Sequence, residues 1–199
     1  MRSTRRREDG PCRGSRIRPA RRLCLLGLVA LLSALEACCT SRAERPFPIE
    51  VLLLDGASFP LHGVETRDSD PPGPSGSCHR AGREYFTHLH LGLQDIYEYN
   101  SAEKASRSIA WHESIVFGEN SSTESWATPP ELAFQSVEAD YLQQKCAVWR
   151  GDIWVCAVVA QYGEYVFRLS LDLYPGSLTL SGFEQVVQAM DERAVRYLK

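Results

Sequence analysis

Between Asp140 and Leu198 the apolar residues change their period, first alternating and then recurring every three to four positions. Residues 141–149 and 153–162 are rich in Val, Ile, Trp and Tyr, which suit a pleated, half-buried surface, and each predicts a strand. Tyr165 to Leu173 predicts a third. There Tyr165, Phe167, Leu169 and Leu171 alternate with Val166, Arg168, Ser170 and Asp172, as in a sheet solvated on one side and covered on the other. Arg150-Gly151-Asp152 and Tyr162-Gly163-Glu164 mark the turns, with Gly151 able to supply a positive φ. After Pro175-Gly176 the spacing lengthens. Phe183, Val186, Val187, Met190, Ala194, Tyr197 and Leu198 recur at helical spacing, and Ser181 with Glu184 three residues later reads as a capping box. A helix over 181–198 follows.

The first half is less regular. Ile49 to Leu54 is an apolar run of strand length, ended by Asp55-Gly56. Residues 66–83 hold Pro71, Pro72, Pro74 and several glycines, which remove amide donors and add chain entropy, so they predict a mobile surface loop. High apolar content from Tyr85 to Tyr99 predicts strand, broken or bulged at Gly92. Asn100 to Glu103 opens a helix over 101–116, with Ala102, Ala105, Ile109 and His112 toward one face. Leu132 to Val137 alternates and predicts a short strand. Together these elements predict an α+β fold: one antiparallel sheet of about four to six strands, with helices at about 101–116 and 181–198 packed on one face.

Charge changes the picture. Residues 1–37 hold nine Arg against Glu8, Asp9 and Glu36, while the whole chain carries a net charge of −3, so the remaining 162 residues are strongly acidic. An acidic body repels phosphate backbones, which argues against nucleic-acid binding. The arginines precede an apolar run from Leu23 to Leu35, the order of basic and hydrophobic regions in a secretory signal. Thirteen residues make a helix of about 20 Å, too short for a hydrocarbon core of roughly 30 Å.

Leu35-Glu36-Ala37-Cys38 ends that run. It resembles the lipobox of bacterial lipoprotein precursors, with Leu35, Ala37 and Cys38 on the pattern and Glu36 departing from it. The resemblance covers about 20 residues. It implies a signal peptide with a long basic n-region (1–37), lipidation at Cys38, export across the bacterial cytoplasmic membrane and anchoring at the cell envelope. Residues 38–48 would be anchor and tether, and residues 49–199 a single domain.

The chemistry-bearing residues are sparse. Cys39, Cys78, Cys146 and Cys156 remain after the signal and the lipid are accounted for, an even number in an oxidising compartment. A three-residue turn at Arg150-Gly151-Asp152 pairs Trp149 with Ile153 and sets Cys146 opposite Cys156, within disulfide reach. A two-residue turn at Gly151-Asp152 pairs Trp149 with Trp154 and puts the two cysteines on opposite faces. The exclusion of free thiols outside the cell favours the disulfide. His88 and His90, two apart on a strand, could share one zinc ion, with a third ligand drawn from His62, His79, His112 or a carboxylate. No nucleophile elbow, phosphate loop or nucleotide fingerprint occurs, and no catalytic residue or cofactor is assigned. Asn120-Ser121-Ser122 spells a glycan acceptor and Arg150-Gly151-Asp152 an adhesion tripeptide, both read as ordinary polar chain. Three functional classes follow: a non-enzymatic extracytoplasmic module that binds a protein or small-molecule partner through loops 66–83 and 118–130 with Trp126, a metal-dependent hydrolase at His88 and His90, or a structural envelope component.

Overall fold

The three C-terminal strands form where alternation predicts them: β4 (Tyr141–Arg150), β5 (Ile153–Tyr162) and β6 (Tyr165–Leu173). A computed structural model describes residues 46–118, 125–150 and 152–199. The signal-like run, the lipobox-like Leu35-Glu36-Ala37-Cys38, Asn120 and Gly151 lie outside the described residues. Upstream, β1 (Glu65–Ser69), β2 (His79–Phe86) and β3 (His90–Glu98) complete one six-stranded antiparallel sheet, in the order β1-β2-β3-β6-β5-β4. Helix α1 (Ala102–Val116) follows β3, and helix α2 (Leu180–Leu198) closes the chain. The described residues also include two 3-10 helices, Ile49–Leu52 and Gly56–Ser58. The chain is α+β, as alternation and helical spacing imply.

The hairpin register combines parts of both expected turns. Arg150 pairs with Ile153 and Val148 with Trp154, so Trp149 is an extra residue, a bulge that shifts the pairing by one. That shift sets Cys146 opposite Cys156, and they form a disulfide with a Cα–Cα distance of 4.1 Å. Both cysteines are buried, so the bond staples β4 to β5 inside the core. Closing a loop of ten residues restricts the unfolded chain by about 2–3 kcal/mol. Replacing both cysteines by alanine should therefore lower the unfolding free energy by about 2–3 kcal/mol, with a steeper urea slope because the unfolded chain expands, read by tryptophan fluorescence.

The two helices lie on opposite faces of the sheet, not on one. Phe183, Val186, Val187, Met190 and Ala194 of α2 pack with Ile96, Phe167, Leu169, Val158 and Ala160. Each of the larger side chains among them stabilises by about 1.5–3 kcal/mol on burial. Ala105 and Ile109 of α1 pack with Tyr97, Val159 and Val166, whose side chains alternate to the other face. The face of β6 expected to be solvated is thus covered, because α1 crosses it.

Local expectations meet several corrections. Ile49–Leu54 is not a strand: its first four residues form a 3-10 helix, and Leu52, Leu53 and Leu54 are all fully buried beside α2. Strands β1 and β2 occupy much of 66–83, leaving 70–78 as the connection. No strand forms at 132–137. Ser101 caps α1 as expected, its hydroxyl accepting from the Lys104 amide. The cap of α2 is Thr179 and not Ser181, with its hydroxyl accepting from the Gly182 amide. Glu184 is thereby released from capping, and its carboxylate accepts from the amides of Ala133 and Phe134, tying segment 132–139 to the helix.

Gly92 marks a bulge, as foreseen. It pairs with Tyr85, while the next pairing is Phe86 with His90, which leaves Leu91 as the extra residue. Its φ of +146°, and a Cβ position only 2.0 Å from the Ser170 carbonyl oxygen, admit glycine alone. The sheet's outer edges differ. Strand β1 is short and carries Glu65, Arg67 and Asp68, with Arg67 paired to Glu84 and Asp68 to Arg83. The outer edge of β4 is bridged by Ala127, which exchanges two backbone hydrogen bonds with Cys146.

Candidate functional site

The α1 face of the sheet carries a buried layer of polar side chains. Antiparallel register places Asp95 of β3 directly opposite Arg168 of β6, and alternation sends both toward α1. The Arg168 side chain is 5% exposed, and its Nη2 donates to Asp95 Oδ2 at 2.5 Å. The same nitrogen donates to the Tyr97 hydroxyl, which in turn donates to the Pro72 carbonyl at 3.0 Å. A guanidinium–phenol relay therefore fastens the 70–78 connection to the centre of the sheet. Gly82 leaves room for Asp95: a Cβ there would lie 3.0 Å from Oδ1.

Helix α1 supplies the rest. His112 is fully buried, and its Nε2 shares a hydrogen bond of 2.8 Å with the Tyr99 hydroxyl. Its ring lies 4.7 Å from that of Tyr97. The Arg168 guanidinium carbon sits 4.7 Å from the Tyr97 ring centre and 5.7 Å from that of Trp111, so two aromatic walls fix its plane. Further along the helix the Tyr141 hydroxyl donates to Glu113, and Gln161 Nε2 donates to the Ala102 carbonyl at 2.9 Å.

Burial sets the electrostatics. It pushes the His112 imidazole down to about 3, with the Arg168 charge acting in the same direction. The ring is neutral at pH 7 and poorly matched to acid–base catalysis there. Burial raises the Asp95 carboxyl against the opposing pull of Arg168, and raises the Tyr97 phenol. Counted as formal charges, Arg168 and Asp95 balance.

The histidines singled out from spacing are not neighbours on one strand. The chain reverses at Thr87–Leu89, which puts His88 at the hairpin tip and His90 at the start of β3. His90 Nδ1 lies 3.7 Å from Asp172 Oδ2, and its ring meets the Phe86 ring edge-on. His62 and His79 lie elsewhere, and His112 belongs to the buried layer. Among the described residues no group of three His, Cys, Asp or Glu side chains could hold a metal ion. Trp126, expected on a binding loop, packs against Phe117 at 5.3 Å beside the bridge to β4.

Sequence reasoning missed Arg168, Asp95 and Tyr97 as a unit. The one available signal was an arginine at the centre of an apolar-rich strand, and without the register no partner could be named for it. Cys78 is disulfide-bonded like Cys146 and Cys156. No described helix is long and apolar enough to cross a membrane. No family model matches the chain, and neither a curated protein nor a solved structure does.

Proposed function

We propose that the chain is the precursor of a lipid-anchored, extracytoplasmic binding module without catalytic activity, held at the cell envelope through Cys38. The observation that carries the address is that every cysteine among the described residues is disulfide-bonded, a state that persists in oxidising compartments and is rare in the cytoplasm. The lipobox-like Leu35-Glu36-Ala37-Cys38 supplies the anchor. Binding, and not catalysis, is supported by the buried layer under α1, where a charge-balanced guanidinium stands between aromatic walls beside a neutral imidazole.

Mass spectrometry of the mature protein, extracted from membranes in detergent, tests this reading. The expected N-terminus is Cys38 bearing a diacylglyceryl group. A mature chain that starts downstream of Cys38 without lipid would overturn the anchor.

A further inference from the structure

We propose that the end of the domain at the β5–β6 turn is a membrane-contacting surface. Val137 and Tyr197 sit there in the phospholipid interface of the bilayer that holds the lipid on Cys38. The inference rests on the lipid-anchor reading and adds how the domain stands on its anchor.

Four contacts gather this end. The Tyr197 ring, in the last turn of α2, meets the Phe47 ring at 5.5 Å. Lys199 Nζ lies 3.5 Å from Glu138 Oε2, which brings the neighbouring Val137 beside the end of α2. The Tyr162 hydroxyl donates to Asp191 Oδ1 at 2.6 Å, and the Gly163 amide donates to Asp140 Oδ2 at 2.6 Å. Both segments are thereby fixed at the turn between β5 and β6.

Val137 is 94% exposed, the most exposed of the large apolar residues among those described. It is held out by a built turn: the Ser136 hydroxyl accepts from the amides of Glu138 and Ala139, and Ala139 packs against the core. One exposed valine is ordinary on a protein surface, so its position carries the argument. Beside it Tyr197 is 38% exposed, and its ring joins an apolar body to a polar hydroxyl, the type that settles at the headgroup level. Arg196 and Lys199 flank that ring and can lay their stems along it while their charges reach the phosphates.

The tether selects the occupant. Phe47 follows Cys38 by nine residues, which span at most about 30 Å, roughly the length of the ten-residue β5. The end that carries Phe47 is therefore the one the lipid holds at the bilayer. Exposed Leu89 and Trp154 belong to the opposite end, at the β2–β3 hairpin and the start of β5, about 25 Å from the β5–β6 turn. Tethering makes the contact intramolecular, at an effective concentration in the millimolar range, so two side chains suffice where a free domain would not bind. The acidic body disfavours anionic headgroups, and an apolar valine with a tyrosine asks only for a zwitterionic interface.

Heavy-atom quenching tests the surface. The mature protein, extracted from membranes, is reconstituted in vesicles of phosphatidylcholine or of phosphatidylcholine brominated near the head of its acyl chains. Trp111 and Trp126 lie on and beside α1, and Trp149 and Trp154 by the β4–β5 turn, so the wild type should emit equally in both lipids. Tyr197→Trp should lose about one fifth of its emission in the brominated lipid, the share of one tryptophan in five. Val137→Trp, at a position where no packing is at risk, should do the same. Equal emission of either variant in both lipids, or quenching of the wild type, overturns the proposal. Mass spectrometry of the same sample separates the two readings. A lipidated Cys38 with unquenched variants removes only this surface, whereas a chain without lipid removes the anchor and this surface with it.

Discussion

Replacing Asp95 by leucine is expected to lower the unfolding free energy by about 3–5 kcal/mol, the cost of leaving a buried ion without its partner. Arg168 is 5% exposed, and its nearest alternative acceptor is the Tyr97 hydroxyl, which it already uses. Nε and Nη1 have no other acceptor to turn to, so the stranded cation cannot be compensated locally. The double variant Asp95→Leu with Arg168→Met should recover most of the loss, since two apolar side chains replace a balanced pair. Urea unfolding of the wild type, both single variants and the double variant completes the cycle. A loss below about 1 kcal/mol for Asp95→Leu would show the pair to be solvated.

Acidification is expected to destabilise the fold through His112 by on the order of 4 kcal/mol between pH 6.5 and 3. In the unfolded chain the imidazole titrates near its ordinary 6.5, and in the fold burial holds it down to about 3. Between those values the unfolded state binds the extra proton. Stability is therefore fully present above pH 6.5 and falls by about 1.4 kcal/mol per pH unit on the acid side. Asp95, raised by burial from its ordinary 3.8, works in the opposite sense above that value, where the folded state takes up the proton first and gains stability. Comparison with His112→Gln isolates the imidazole. That variant should lose stability at pH 7, because the pairing with Tyr99 is altered, and yet show a flatter acid limb. Parallel limbs for the two proteins would place the imidazole in contact with water.

The strands after Asp140 were legible because alternation, turn glycines and β-branched residues all agreed there. Helix α2 was legible from its stripe, while its cap was not: both Thr179 and Ser181 precede the stripe, and Glu184 spaced for a capping box with Ser181 bonds to segment 132–139 instead. Ile49–Leu54 misled for a physical reason. A continuous apolar run says that a segment is buried, not which backbone it adopts, and here it fills the core beside α2. The Cys146–Cys156 pairing was reached from the exclusion of free thiols, but the bulge at Trp149 that produces it was not visible, since turn length alone does not fix register. Asp95 and Arg168 are 73 residues apart. Only the β3–β6 pairing makes them neighbours, and nothing local in either strand announces it.

The two sheet edges carry a consequence for life at high density. An open strand edge is a template for addition of another chain, and many copies confined to a surface would meet edge to edge repeatedly. Here one edge is five residues long and crowded with ion-paired charges, and the other is occupied at Cys146 by Ala127. At one end of the sheet the edge backbone is flanked by ion-paired charges, and at the other the backbone groups of Cys146 are already engaged. Both features disfavour growth into strand-exchanged polymers where copies are crowded together.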